Sequence, residues 1–146
     1  MSHIQRQKKV IFSVEQMYSL VNDINSYQTF VPYCSDSRVI SSDDHEMTAS
    51  LTFSFMGLQQ TLTTQNKLKP NEEIILNLVS GPFKYLKGFW RFEPISNDDS
   101  FSSLIKMDIE FDMSLGPMMM IIEPIMQQTI ENLVEIFLKR AKEIYG

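Results

Sequence analysis

Two hydrophobic periods divide the chain. From Pro117 to Tyr145, apolar residues recur at threes and fours: Met118, Ile121, Ile122, Ile125, Met126, Ile130, Leu133, Val134, Phe137, Leu138, Ala141 and Ile144. That spacing predicts a helix with one buried face. Gln127, Gln128, Glu131, Glu135, Lys139, Lys142 and Glu143 fall on the opposite, wet face. Pro124 lacks a backbone donor, so Met118 to Ile122 reads as an offset first turn or short helix, and Pro124 as an early position of the main one. From there the helix would run roughly 30 Å at about 1.5 Å per residue.

Upstream, from Ser35 to Met113, the period is two. Met47, Ala49, Leu51, Phe53 and Phe55 alternate with Thr48, Ser50, Thr52 and Ser54. Ile105, Met107, Ile109, Phe111 and Met113 alternate with Lys106, Asp108, Glu110 and Asp112. Both patterns are those of strands with one face inward. Strands are further expected at Arg38 to Ser41, Leu58 to Lys69, Ile74 to Val79 and Leu86 to Pro94, with turns at Ser42-Asp43-Asp44, Gly57 and Pro70-Asn71. Leu62 and Leu68 mark the inward face of the Leu58 to Lys69 strand. Before this block, Ile4 to Phe12 predicts a first strand. Ser13 and Gln16 then form a capping box, flanked by Phe12 and Met17 as a hydrophobic staple, and open a helix through Val21. A second short helix covers Ser26 to Phe30 and ends at Pro32. Loops this short force antiparallel neighbours, so the fold class is α+β: a strongly curved antiparallel sheet packed on the terminal helix.

A length of 146 residues suits one domain, residues 1–146, with a core that needs neither disulfides nor a structural metal. Cys34 is the only cysteine, and the charged N-terminus has no apolar segment behind it, which predicts a cytoplasmic protein. The longest apolar run, Pro117 to Ile122, is far shorter than the ~20 residues that cross a bilayer. A net charge of −5 disfavours DNA binding, although a local basic patch remains open. Ten methionines and ten phenylalanines suit an adaptable interior, either a soft core or a lipid cavity.

Three motifs go beyond pattern: Tyr27 to Cys34 (YQTFVPYC), Gly81 to Phe92 (GPFKYLKGFWRF) and Phe137 to Ala141 (FLKRA). In this order they resemble the coenzyme Q-binding / ribosome-association toxin (RatA) family of START-like domains, related to the polyketide cyclases. The resemblance covers nearly the whole chain; Glu123, before Pro124, departs from the small residue expected there. It implies the helix-grip fold, a sheet of about seven strands gripping the C-terminal helix around an elongated apolar cavity, with two short helices after the first strand. It further implies ubiquinone binding in support of respiration for some members and interference with ribosomal subunit association for others.

On this reading the cavity candidates are Tyr33, Leu51, Phe53, Leu62, Leu76, Phe83, Trp90, Phe92, Met107, Phe111, Met126, Leu133 and Phe137. Trp90 is equally readable as a large core residue, and Gly81-Pro82 reads first as a turn or bulge. Lys84, Lys87 and Arg91 are candidate surface contacts to phospholipid headgroups or ribosomal RNA, with a solvated face as the simpler reading. Asp108, Glu110 and Asp112 lie on an outer strand face with no loop to complete a coordination sphere, so no metal site is expected. His3 in an N-terminal arm, His45 in a turn and Cys34 without a companion His offer no base or nucleophile, so no catalytic residue is expected. The expected function is non-enzymatic binding of an isoprenoid quinone or other lipid, with the tail inside and transient contact with the inner-membrane surface. No cofactor is expected beyond bound ubiquinone. A ribosome-directed toxin is the alternative, and a cyclase-type enzyme the weaker one.

Overall fold

Each alternating segment finds a partner on at least one edge in the computed structural model, which describes residues 2–96 and 99–146. The strands are β1 (Ser2–Val10), β2 (Cys34–Ser42), β3 (Glu46–Phe55), β4 (Leu58–Lys69), β5 (Glu73–Ser80), β6 (Phe83–Ser96) and β7 (Asp99–Met113). They form one seven-stranded sheet in the order β1-β7-β6-β5-β4-β3-β2, antiparallel throughout. Hairpins build β2 to β7, and β1 closes against β7. At the β3–β4 turn, Met56 and Gly57 both take positive φ (49° and 81°), the handedness that a two-residue hairpin requires. All five inward residues expected on β7, from Ile105 to Met113, are buried.

β5 and β6 pair only from Glu73–Asn77 to Lys87–Arg91. Beyond that, Leu78 and Ser80 stay registered with β4 while Phe83 onward pairs with β7. The two halves of the sheet therefore diverge at this end, with Gly81-Pro82 as the turn between them. Gly81 has φ of 149°, and a Cβ there would lie 3.3 Å from the Leu62 backbone.

Helix α1 (Val14–Asn22) opens with the expected box: Ser13 Oγ accepts from Gln16 N–H at 3.1 Å, and Gln16 Oε1 accepts from Ser13 N–H at 3.0 Å. Phe12 and Met17 beside it are both buried. A 3-10 helix covers Ile24–Thr29. The C-terminal segment differs from expectation. One helix, α2 (Pro117–Glu131), runs straight through Pro124, and the interruption falls at Asn132, before α3 (Leu133–Tyr145). The break follows Thr129, whose hydroxyl donates to the Ile125 carbonyl at 2.8 Å, a back-bond that bends helices. Met118 and Ile121, expected inward, are 40% and 52% exposed, whereas Met119 is buried. Ile144 is exposed as well. The architecture is nonetheless the helix grip: a curved antiparallel sheet closed over a C-terminal helical segment. Among the described residues, no helix is long and apolar enough to cross a membrane.

An apolar cavity between sheet and terminal helix

Between the sheet and α2–α3 lies a cavity of about 110 Å³. Its sheet side is Ala49, Leu51 and Phe53 of β3, Leu62, Thr64 and Asn66 of β4, Leu76 of β5, Leu86 and Trp90 of β6, and Ile109 of β7. Met126, Thr129, Ile130, Leu133 and Phe137 close it from the helices, and Ile24, Tyr27 and Val31 from one end. Phe137 anchors that closure: its ring lies 5.3 Å from both Tyr27 and Trp90 and 5.6 Å from Phe30, edge-on in each case. A narrower space of about 20 Å³ shares Phe53, Leu62 and Met126 with the cavity and continues past Tyr33, Gln60, Phe83, Ile122 and Ile125.

Of the residues expected from sequence, Leu51, Phe53, Leu62, Leu76, Trp90, Met126, Leu133 and Phe137 line the main cavity. Tyr33 and Phe83 line the narrower extension. Phe92, Met107 and Phe111 line neither, although they share the inward face of the sheet and are 1–3% exposed. Phe92 packs edge-on against Tyr18 of α1 at 5.7 Å, and Phe111 against Phe83 at 6.1 Å. Phe92 is core filling at the end that α1 covers, whereas Phe111 fills the core beside the narrower extension. Glu123 borders a surface groove with Met120, Pro124 and Gln127, outside the cavity.

Sequence reasoning missed the polar lining. Counting by twos from Leu62 to Leu68 on β4 passes through Thr64 and Asn66, so strand parity held the signal. Asn66 is 2% exposed, and its Oδ1 has no hydrogen-bond partner. Asn22 Oδ1 and Arg140 Nε are likewise buried without partners, but neither residue lines the cavity. Thr64, two residues before Asn66 on the same face, adds a hydroxyl to the lining, while the Tyr27 and Thr129 hydroxyls are committed elsewhere. Tyr27 donates its hydroxyl to the Val21 carbonyl, and burial pushes its pKa above the usual phenol range. Thr129 donates to Ile125. Cys34 donates to the Asp36 carbonyl at 3.4 Å, and burial raises its pKa to about 11, so it is a protonated thiol near neutral pH and a poor nucleophile. What the cavity offers is mainly apolar contact, with Thr64 and Asn66 as polar positions on β4, which suits binding more than bond-making.

The outer face of the sheet is a mosaic of both charges. Lys84 and Lys87 are exposed as expected, but Arg91 pairs with Glu73 at 2.7 Å and stacks 3.9 Å over Phe89. Lys87 sits 5.8 Å over Tyr85, opposite Glu110, and both neighbours raise its pKa. His3 belongs to β1 instead of a free arm. Its Nε2 lies 2.8 Å from Asp108 Oδ1 and 3.9 Å from Glu110 Oε1. These three side chains converge closely enough to contact one cation, a juxtaposition the single-strand reading of Asp108 and Glu110 could not see. Gln5 also donates to Asp108 at 2.9 Å, so the cluster is already hydrogen-bonded within itself.

Comparison with known proteins agrees with this geometry. The chain is 39% identical over 146 residues to "Ribosome association toxin RatA" of Escherichia coli (strain K12), covering 100% of this chain and 90% of that protein. It is 26% identical over 142 residues to "Coenzyme Q-binding protein COQ10 homolog B, mitochondrial" of Xenopus laevis, covering 96% of this chain and 58% of that one. The Zhui aromatase/cyclase from Streptomyces superposes with a TM-score of 0.79 at 13% identity, covering 97% of this chain and 93% of that one, a likeness of fold alone. The family model described as "Polyketide cyclase / dehydrase and lipid transport" matches residues 10–138, and the chain belongs to that family.

Proposed function

We propose that this protein is a non-enzymatic carrier or chaperone of a hydrophobic ligand, ubiquinone first among the candidates, acting as one START-like unit across residues 1–146. The observation that carries this reading is the cavity between sheet and helices whose walls are almost wholly apolar. A cavity of about 150 Å³ lined by such residues holds benzene. By that measure the space of about 110 Å³ takes a ring or a few prenyl carbons, and a longer tail needs the narrower extension to widen. Each buried CH2 contributes about 0.8 kcal/mol, so even two or three prenyl units supply several kcal/mol before ordering losses. Around that extension, Tyr33, Met56, Leu115, Met118 and Ile121 are exposed apolar residues. Gln60, which lines it, donates to Met118 Sδ at 2.9 Å. An apolar rim there suits transient contact with a bilayer during loading and delivery.

A second reading has its own support, the 39% identity over the full chain to a protein named for ribosome association. In that reading the protein binds a ribosomal subunit and hinders joining. Mass spectrometry of an organic extract of the purified protein separates the two. Stoichiometric quinone or another polyprenyl lipid is the expected outcome. An empty protein that shifts ribosome profiles toward free subunits would overturn the carrier reading and leave the ribosomal one.

A further inference from the structure

Two polar side chains of β4, Thr64 and Asn66, line the cavity, and neither the Thr64 hydroxyl nor the Asn66 amide nitrogen has a hydrogen-bond partner among the described residues. Asn66 is 2% exposed and its Oδ1 is turned into the wall without accessible surface, which leaves Nδ2 as the amide atom that opens to the space. Both open groups can donate. Resting on the reading that this cavity takes a ligand, we propose that its inner end is a carbonyl-binding subsite, in which Asn66 Nδ2 and Thr64 Oγ1 donate to the carbonyl oxygen of a ligand that enters head first. The ligand class is thus a ring-sized ketone, lactone or quinone on an apolar tail.

Two residues apart on one strand, Thr64 and Asn66 share a face, and their Cα atoms are about 7 Å apart at ~3.3 Å per residue, close enough to serve one head group. Their partners in register, Ala49 and Met47 on β3 and Leu78 and Leu76 on β5, are apolar and cannot take these protons. The Tyr27 and Thr129 hydroxyls send theirs to the carbonyls of Val21 and Ile125, so β4 supplies the donors that remain for a ligand. A carbonyl oxygen has two lone pairs and no proton, so it can accept from both and leaves no donor of its own stranded among apolar walls. A hydrocarbon head would leave both donors dry. The positions along β4 set the orientation. Gln60 and Leu62 line the narrow extension, Leu62 also borders the cavity, and Thr64 and Asn66 border the cavity alone. Asn66 is four residues beyond Leu62, about 13 Å along the strand at ~3.3 Å per residue. The head therefore lies at the inner end, and the tail runs back past Leu62 and Met126 toward the exposed rim, the reverse of the sequence-based expectation of the tail inside.

The test uses the full chain and two radiolabelled probes of matched shape, 4-decylcyclohexanone, which accepts, and decylcyclohexane, which does not. Each is equilibrated between the protein and phosphatidylcholine vesicles, and the vesicles are then spun away. Asn66→Leu and Thr64→Val are each expected to lower the protein's share of the ketone about tenfold and to leave its share of the hydrocarbon unchanged. In the wild type, the infrared carbonyl stretch of bound ketone carrying a carbon-13 carbonyl should fall below its frequency in hexane, because the oxygen accepts hydrogen bonds. A stretch at the hexane frequency, with decylcyclohexane still taken up, would sink the subsite while the cavity reading stands. Ketone uptake that survives both substitutions would do the same. If the wild type takes up neither probe, the carrier reading itself falls and this inference with it. The wild-type spectrum decides the matter even where a variant does not fold.

Discussion

Trp90 reports on the cavity from inside. It is the only tryptophan, is 3% exposed, borders the cavity and meets Phe137 edge-on at 5.3 Å. A short-tailed ubiquinone in the cavity should therefore quench its emission along a saturable curve, and a redox-inactive lipid of equal length should compete without quenching. Linear quenching equal to that of free tryptophan would mean mere collision with the surface. Strand parity was enough to place Trp90, Leu51, Phe53 and Leu62 on the inner face, since a period of two assigns faces without further information. Parity does not separate lining from filling. Phe92 and Met107 share that face with Trp90, yet both are buried without bordering the cavity, Phe92 packed edge-on against Tyr18 of α1. Asn66 was legible by the same parity, but a polar residue among threonines and lysines reads as outward when face is inferred from polarity.

At the scale of elements, local chemistry was legible wherever two or more residues fixed the backbone together. The Ser13–Gln16 box is the clearest case, with both of its reciprocal bonds formed. Ser13→Ala should cost about 1 kcal/mol. For a chain of this size that lowers the melting temperature by roughly 2–4 °C, read by circular dichroism. An unchanged melting point would show that packing of Met17, Leu20 and Val21 holds α1 without its cap. The C-terminal helices were less legible, because Pro117 to Ile122 is apolar all round and offers several equivalent stripes. The choice of Met119 over Met118 as the buried residue is made by the sheet, not by the run itself. The break at Asn132 was hidden for a similar reason: Thr129 disturbs the ladder through a hydrogen bond within the helix, leaving the apolar spacing unchanged.

At the scale of the whole molecule, the inner surface is apolar and the outer one mixes both signs within a net charge of −5. Order along the sheet followed from short loops, since each hairpin places the next strand beside the last; the pairing of β1 with β7 joins the two ends of the sequence pattern and needed the fold itself. The same outer face decides between the two proposed functions. Lys84 and Lys87 are both exposed, while Arg91 and Lys106 are held by Glu73 and Glu93 at 2.7 and 3.0 Å. Along β6, a polyanion would thus meet Lys84 and Lys87 before Arg91. Because Lys87 faces Glu110 across the β6–β7 ladder, an acid there would add a like-charge pair, so the informative variant is Lys84→Glu with Lys87→Gln. Surface changes of this kind usually alter stability by less than about 0.5 kcal/mol, and the lipid content of the extract should not move. If the protein binds ribosomal RNA through this face, affinity for subunits should fall, and the slope of log affinity against log salt should shrink by roughly two, one for each lost contact. Unchanged affinity and slope would remove this face from any ribosomal interface. Loss of bound lipid in the same variant would instead mean that the cavity communicates with the outer face, contrary to the closed sheet between them.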